Sequence, residues 1–345
     1  MVLAAGVGSR LDPLTSQLPK PLVPVANRPV MEHILLLLKK HGFTDVVSNL
    51  HYLPDKIKSY FGYGESMGMN LDFRYEEELS GDAGGVRACR KFFGQETFIV
   101  LMGDLLTDAD LSRVYAEHKR KGALATIGIK QVVDVSQFGV VVRDDQGFIK
   151  GFQEKPSKEE ALSNFASTGI YILEPQIFDY MPATGSYGFG RQLFPSLVQQ
   201  GLPVLSVDLG TYWTDVGTIH QYRQSNFDAL EGALTVELHG ERTAQGHIGA
   251  GSSIDPRTAV EGNLLLGKRS KIAAGVQIKG RVIIGDNCRI ERNAILEDTI
   301  VWSNSVVEEN ASLKHCIVGS GCVVQNGSKH NQITAVKWPP AVSKV

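Results

Sequence analysis

The sequence is poor in cysteine and lacks the patterns that cysteine-dependent folds require. Among its 345 residues it has four cysteines, at positions 89, 288, 316 and 322, and no pair of them shows C-x-x-C spacing. This argues against a disulfide framework and against a zinc site. The cysteines therefore predict reduced, partly buried thiols, as in a cytoplasmic protein.

Long apolar runs and an excess of charge are also lacking. The longest apolar run, Ile34 to Leu38, is far too short to cross a bilayer, and the N-terminus shows no signal-peptide pattern. The formal net charge is −2, with no basic block that would attract nucleic acid. We therefore expect a soluble, cytoplasmic protein with neither a membrane nor a nucleic-acid partner. An anionic ligand would have to meet a few placed Lys and Arg residues or a metal.

The first 230 residues alternate between strand-like and helix-like segments. The strand-like segments are 2–5, 45–49, 71–75, 97–102 and 123–129, and the helix-like ones are 29–41, 84–93 and 110–121. This alternation predicts an α/β fold, with a Rossmann-like, mostly parallel sheet covered by helices on both faces. Ligands of such folds bind at the carboxyl ends of the strands.

The second part of the chain has a period of six. Apolar residues recur at every sixth position from 248 to 296, then at 301, 307 and 313, and again at 318 and 324, so that two steps are five residues long. This period fits neither a helix nor an ordinary strand, and it predicts a hexapeptide β-helix with each apolar residue pointing inward.

A glycine-rich segment opens the chain directly after the first strand. Gly6 and Gly8 allow a sharp turn and close approach of a ligand, while Arg10 and Lys20 add two cations that can bind phosphate. The segment is not a Walker loop, since no Gly-Lys-Ser/Thr follows, and it does not fit the dinucleotide fingerprint. It predicts a phosphate-binding loop.

The same segment resembles the signature of the sugar-1-phosphate nucleotidyltransferases. The residues that carry the resemblance are Leu3-Ala4-Ala5-Gly6-Val7-Gly8-Ser9-Arg10-Leu11, Pro13-Leu14-Thr15 and Pro19-Lys20-Pro21-Leu22-Val23-Pro24-Val25. Within this family the chain looks most like the mannose-1-phosphate guanylyltransferases, with the glucose-1-phosphate enzymes next. The resemblance implies a catalytic domain over residues 1–235, a left-handed β-helix over 245–330 and a C-terminal tail over 331–345.

Further stretches match the family's functional motifs. They are Gly81-Asp82-Ala83-Gly84, Leu101-Met102-Gly103-Asp104, Phe138-Gly139-Val140-Val141, Phe152-Gln153-Glu154-Lys155-Pro156, Ser167-Thr168-Gly169 and Tyr212-Trp213-Thr214-Asp215-Val216-Gly217-Thr218. By resemblance, Arg10, Lys20 and Asp104 are catalytic, and Asp104 and Asp215 hold Mg²⁺. The implied nucleotide-binding residues are Leu3, Ala5, Gly6, Gly8, Ser9, Arg10 and Gly84. The implied sugar-phosphate-binding residues are Gly139, Glu154, Lys155 and Thr168.

The chain departs from the family pattern at several positions. Asp82 replaces Thr in the loop that reads the base, which leaves base specificity open. Val7 and Asp12 stand where many members have Lys and Arg, and Gly188 stands where Asp is common.

The resemblance implies that an NTP and a sugar 1-phosphate form an NDP-sugar and pyrophosphate, with GTP and mannose 1-phosphate as the expected pair. One alternative is a glucose-1-phosphate nucleotidyltransferase using UTP, dTTP or ATP. Another is a non-catalytic, sugar-nucleotide-sensing subunit of the same family. Hexapeptide β-helices also occur in acyltransferases, but the late histidines His315 and His330 lie in no recognisable acceptor motif. We expect the β-helix to mediate homo-oligomerisation.

Overall fold

The computed structural model describes residues 1–337. The chain divides into two compact units, and near the N-terminus the sequence alternates between them. The first unit comprises residues 1–7, 19–21 and 30–215, and the second comprises 8–18, 22–29 and 216 onward. Each domain predicted from the sequence was a single continuous segment, whereas each compact unit is made of several segments. Of the predicted tail, residues 338–345 lie outside the described part.

Helices and strands alternate up to residue 231, and a long series of strands follows. The helices are α1 (Val30–Lys40), α2 (Pro54–Phe61), α3 (Asp82–Ala88), α4 (Arg90–Phe93), α5 (Leu111–Lys121), α6 (Phe194–Gln199) and α7 (Ile219–Glu231). The strands up to residue 215 are β1 (Val2–Leu3), β2 (Pro24–Val25), β3 (Arg28–Pro29), β4 (Asp45–Leu50), β5 (Asn70–Tyr75), β6 (Phe98–Met102), β7 (Leu105–Thr107), β8 (Ala125–Gln131), β9 (Gly139–Arg143), β10 (Ile149–Glu154), β11 (Phe165–Leu173), β12 (Val204–Asp208) and β13 (Trp213–Asp215). The later strands are β14 (Glu241–Thr243), β15 (Gly246–Ile248), β16 (Ser253–Ile254), β17 (Ala259–Leu266), β18 (Lys271–Ile272), β19 (Gln277–Ile284), β20 (Arg289–Ile290), β21 (Ile295–Glu297), β22 (Ile300–Val301), β23 (Val306–Val307), β24 (Ser312–Lys314), β25 (Ile317–Val318), β26 (Val323–Val324), β27 (Lys329–Asn331) and β28 (Thr334–Ala335).

A nine-stranded sheet forms the framework of the first unit. Its main order is β10-β9-β11-β6-β1-β4-β5, and β8 extends it from β11 to β12. β6, β1, β4 and β5 are mutually parallel, as are β8 and β12, whereas β11 runs antiparallel to β6, β8 and β9. The predicted α/β class is confirmed, with a sheet that is parallel in one part and mixed in the other.

Local sequence signals explain where some helices begin and end. The Asp110 side chain accepts a hydrogen bond from the backbone N–H of Arg113 and caps α5, which ends at the left-handed Gly122. Gly42, just past α1, also has a positive φ, of 83°. The predicted start of α1 at Pro29 was wrong, because Pro29 pairs with Pro24 in the β2–β3 hairpin. The predicted helix 84–93 is two helices that meet at Cys89.

Aromatic packing fills the core of the first unit. The rings of Phe93, Phe98 and Phe178 stack with centroids 4.0 to 6.2 Å apart. A second group joins Tyr171 of β11 to Phe194 of α6 and to Phe189 of the preceding π-helical turn, Phe189–Leu193. These contacts fix the turn against the sheet and bury large apolar areas.

The second unit contains a parallel β-helix. Strand partners lie 18 residues apart in the early coils, as in Val260↔Ile278, and 17 apart later, as in Leu296↔Leu313. Three six-residue steps make the longer coil, and each predicted five-residue step shortens one coil by a residue. The periodic apolar residues from Leu266 to Val324 are buried in one core, and Ile248, Ile254 and Val260 pack against it. The hexapeptide prediction is confirmed.

Asparagines form the corners of this β-helix. Asn287, Asn293, Asn304 and Asn310 all have φ between 55° and 64°, which Asn tolerates better than most residues. Asn287 donates to Asn304 of the next coil at 3.1 Å, and Asn293 donates to Asn310 at 3.3 Å. The six-residue period is thus supported by stacked corners as well as by buried side chains.

All four cysteines are buried free thiols, and burial raises the pKa of Cys89 and Cys288 to about 11. No helix within residues 1–337 has the length and apolar character needed to span a bilayer.

Candidate active site

The carboxyl ends of the parallel strands meet at one edge of the sheet. The register places Leu3 of β1 beside Asn49 of β4 and Met102 of β6. Gly103 follows β6, and a Cβ at this position would lie 2.5 Å from the carbonyl oxygen of Leu3. Glycine therefore lets the loop that carries Asp104 run close to the opening strand.

A first pocket, of about 300 Å³, opens at this edge. Its lining residues are Leu3, Ala4, Ala5, Gly6, Lys20, Pro21, Asn49, Glu76, Leu79, Gly81, Asp82, Met102, Gly103 and Asp104. Lys20 is only 8% exposed, and its ammonium contacts the Asp104 carboxylate. The pocket thus combines a backbone loop and a buried cation, which suit a phosphate ligand, with a carboxylate that suits a metal ion.

Sequence reasoning missed two polar residues of this pocket, Asn49 and Glu76. The Asn49 side chain accepts a hydrogen bond from the Ala4 N–H at 3.0 Å and donates to Glu76 at 2.6 Å. Glu76, 7% exposed, also accepts from the backbone and hydroxyl of Ser80. Both residues lie at the ends of predicted strands, so the rule that α/β sites gather at carboxyl ends could have found them.

A second pocket, of about 230 Å³, adjoins the first. Its lining residues are Asp82, Met102, Asp104, Leu105, Gln137, Phe138, Gly139, Phe152, Glu154, Lys155, Ser167, Thr168, Gly169, Tyr171, Gly190, Trp213 and Asp215. Asp82, Met102 and Asp104 line both pockets. Two ligands bound side by side would therefore meet at these three residues.

Antiparallel pairing of β13 with β7 places the two predicted metal ligands in the second pocket. Asp215 pairs with Leu105, the residue after Asp104. This strand pair is held further by a 2.6 Å hydrogen bond from the Thr107 hydroxyl to the Tyr212 carbonyl. Two carboxylates in one pocket are a donor set that fits Mg²⁺. Within residues 1–337 no group of three or more acidic, His or Cys side chains is placed so that it could hold a metal ion.

The acidic groups in the second pocket are partly desolvated. Burial raises the pKa of Glu154, and the neighbouring Asp82 carboxylate raises it further, whereas Lys155 and Arg191 oppose the shift. Burial likewise raises the pKa of Asp82, although backbone hydrogen bonds and the Lys155 charge lower it. Lys155 itself is exposed and has a positive φ of 49°. The pocket therefore holds a cation beside two partly desolvated carboxylates.

The structure brings most of the predicted site residues together. Leu3, Ala5, Gly6, Lys20 and Asp104 line the first pocket, and Gly139, Glu154, Lys155, Thr168 and Asp215 line the second. Gly84 is buried in α3 and lines neither pocket. The Thr168 hydroxyl donates to the Gly128 carbonyl at 2.7 Å, which leaves it able to accept a further hydrogen bond. The roles assigned to these residues stay predictions.

Gly8, Ser9 and Arg10 belong to the second compact unit. Gly8 has a left-handed backbone (φ 76°) that precedes a short 3₁₀ turn, Ser9–Leu11. The Thr15 hydroxyl donates to the Gly8 carbonyl at 3.0 Å, which fixes the turn, and the Arg10 side chain is exposed.

Comparison with known proteins identifies related families and individual relatives of this chain. A family model described as nucleotidyl transferase matches residues 1–232, and one described as the GMPPB C-terminal domain matches residues 260–336. A UTP–glucose-1-phosphate uridylyltransferase of Synechocystis is 38% identical over 88% of this chain and 82% of its own length. A mannose-1-phosphate guanylyltransferase of Mycobacterium tuberculosis is 29% identical over 86% of this chain and 82% of its own.

A solved structure from Bacillus anthracis, described as a glucose-1-phosphate thymidylyltransferase in complex with sucrose, is 27% identical. The structural match covers 68% of this chain and 95% of the Bacillus anthracis chain, with a TM-score of 0.61. The resemblance predicted from the opening motif is thereby confirmed. With a family model over two thirds of its length, a pocket at the strand ends and relatives of one enzyme class, the chain is an enzyme that belongs to the nucleotidyl transferase family.

Proposed function

We propose that the enzyme transfers a nucleotidyl group from an NTP to a sugar 1-phosphate, which yields an NDP-sugar and pyrophosphate. The observation that carries this proposal is the pair of adjoining pockets that share Asp82, Met102 and Asp104. The NTP would occupy the first pocket, beside the glycine loop and Lys20. The sugar 1-phosphate would occupy the second, beside Glu154 and Lys155. Transfer of a nucleotidyl group to a sugar 1-phosphate requires two phosphate-bearing substrates side by side, for which two adjoining pockets offer room.

The reaction needs no general base, because the nucleophile is already an anion. An oxygen of the sugar phosphate forms a bond to the α-phosphorus of the NTP, and the bond to the bridging oxygen of the β-phosphate breaks. Pyrophosphate leaves with the electron pair. The protein's task is to hold two anions in line and to offset their repulsion. Lys20 and Arg10 would act on the triphosphate, and Lys155 on the sugar phosphate.

The carboxylates of Asp104 and Asp215 would hold Mg²⁺, which when bound supplies positive charge to the phosphate oxygens. The ammonium of Lys20 contacts Asp104, so the Lys20 side chain lies beside the predicted magnesium site. Lys20 would therefore help to orient Asp104 and would also bind phosphate.

Two substrate pairs are candidates. UTP with glucose 1-phosphate ranks first, because the Synechocystis uridylyltransferase shares 38% of residues over 88% of the chain. GTP with mannose 1-phosphate, the pair expected from the sequence, is supported by the C-terminal family match and by the guanylyltransferase relatives. The first pocket contains the Glu76 carboxylate, a pure acceptor that suits the N–H groups of a base.

An endpoint screen of pyrophosphate release tests the proposal. The purified enzyme would be incubated with Mg²⁺, one of GTP, UTP, dTTP or ATP, and mannose or glucose 1-phosphate. We expect release that depends on both substrates and is strongest for one of the two candidate pairs, with Asp104→Asn as the inactive control. Tight nucleotide binding without release under every condition would contradict the proposal and favour a sensing subunit.

A further inference from the structure

Asp82 stands where the family's base-reading loop has Thr, and the structure gives its side chain a different setting. Asp82 opens α3, and its Oδ1 accepts hydrogen bonds from the backbone N–H groups of Ala83 and Phe189, both at 2.7 Å. Phe189 begins the π-helical turn that packs on β11. The Asp82 carboxylate therefore connects the start of α3, beside the first pocket, to the π-helical turn beside the second pocket.

Glu154 approaches the same turn from β10. A Cβ on Gly190, the residue after Phe189, would overlap the Glu154 carboxylate, so glycine is what allows this close contact. The Asp82 and Glu154 side chains thus flank Phe189 and Gly190 and both line the second pocket. Burial raises the pKa of both carboxyl groups, and the charge of Asp82 adds to the shift of Glu154, so the two share one desolvated region.

One oxygen of Asp82 is left over. Oδ1 is used by the two backbone groups, whereas Oδ2 makes no hydrogen bond or ion pair with any other residue between 1 and 337. Asp82 is partly exposed and lines both pockets. A partly buried carboxylate oxygen beside a substrate pocket gains most from a donor supplied by the ligand.

We propose that Asp82 is a specificity residue for the sugar, with Oδ2 accepting a hydrogen bond from a pyranose hydroxyl beside the one held by Glu154. This inference rests on the proposed function. Oδ1 meanwhile keeps the loop and the turn in place, so that one side chain both positions the pocket wall and binds substrate. Because a carboxylate only accepts hydrogen bonds, the site selects a sugar with a free hydroxyl at that carbon.

The test compares Asp82→Asn with Asp82→Ala. The Asn side chain keeps an oxygen for Phe189 and Ala83 but presents an NH₂ group to the pocket, so it separates anchoring from substrate binding. We expect both variants to raise KM for the sugar 1-phosphate by about 10- to 100-fold, with a much smaller change in KM for the NTP. Glu77→Gln, at an exposed residue that lines neither pocket, is the matched control and should behave as the wild type.

Deoxy sugar 1-phosphates identify the hydroxyl. For one deoxy analogue, the wild-type kcat/KM should fall about as much as the kcat/KM of Asp82→Asn falls on the intact sugar. The same analogue should cause little further loss in Asp82→Asn, because the hydrogen bond is already absent. Additive losses on every analogue would overturn the inference, as would an Asp82→Asn variant with unchanged KM beside an impaired Asp82→Ala. These outcomes leave wild-type turnover intact, so they are distinct from failure of the proposed function, in which no sugar 1-phosphate reacts.

Discussion

At the residue scale, Lys20 and Arg10 are two cations with the same predicted role and opposite exposure. Lys20 is 8% exposed and pairs with Asp104, whereas Arg10 is exposed. We expect Lys20→Met and Arg10→Ala each to lower kcat for pyrophosphate release by about 100-fold or more. Each substitution would remove a positive charge that offsets the negative charge of the reacting phosphates. Only Lys20→Met should also lower Tm, because it leaves the Asp104 carboxylate without its partner.

Thermal melting by circular dichroism, run beside the pyrophosphate assay, checks both effects. Lys20→Arg is the matched variant, since it keeps the charge in a different shape and should recover part of the activity and most of the Tm. An Arg10→Ala enzyme that releases pyrophosphate at the wild-type rate would show that the triphosphate assignment of Arg10 is wrong.

Some site residues could be predicted from the sequence because they stand in motifs with fixed spacing, as Asp104 and Asp215 do. Asn49 and Glu76 could not be assigned in this way, because their part in the pocket arises from parallel pairing of β1 with β4 and β4 with β5. The link from Asp82 to Phe189 joins residues 107 apart in sequence, and no local pattern marks it.

At the element scale, α7 is joined to the β-helix by a buried side-chain pair. Tyr222 is fully buried, and its hydroxyl accepts a 2.7 Å hydrogen bond from the indole N–H of Trp302. We expect Tyr222→Phe to lower the free energy of unfolding by about 1–3 kcal/mol, because the indole N–H loses its acceptor in a buried place. Urea titration followed by far-UV circular dichroism measures the change.

A double-mutant cycle with Trp302→Phe isolates the hydrogen bond from the packing of the two rings. The coupling energy should be about 1 kcal/mol, since either single change already removes the bond. Fully additive effects would mean that this contact contributes nothing to the attachment of α7.

The β-helix was predictable in detail because each inward residue leaves its mark at a fixed period, including the two short steps that give 17-residue coils. Strand direction leaves no such mark. The antiparallel β11 therefore could not be foreseen from the alternating segments, and the break at Cys89 was hidden inside a helix-like pattern.

At the scale of the whole molecule, part of the signature segment folds with the β-helix rather than with the sheet. Residues 8–18 and 22–29 belong to the second unit. Within it, the Ala26 N–H donates to the buried Asn226 side chain of α7 at 2.9 Å, and Asn27 donates to the Ile284 carbonyl at 2.8 Å. Helix α7 and the repeat domain therefore hold residues 26 and 27 of the signature segment, in addition to any role of the repeat domain in assembly.

Asn27 allows this support to be tested without shortening the chain, and so separately from assembly. Its φ is 64°, so Asn27→Gly keeps the turn and removes only the hydrogen bond to Ile284. We expect kcat to fall several-fold with the number of subunits unchanged, because the signature segment loses one of its anchors, whereas truncation near residue 240 should reduce both kcat and the number of subunits. Light scattering on a sizing column, beside the pyrophosphate assay, reports the two quantities. Wild-type activity in Asn27→Gly would limit the β-helix to assembly, and an unchanged number of subunits after truncation would remove its assembly role.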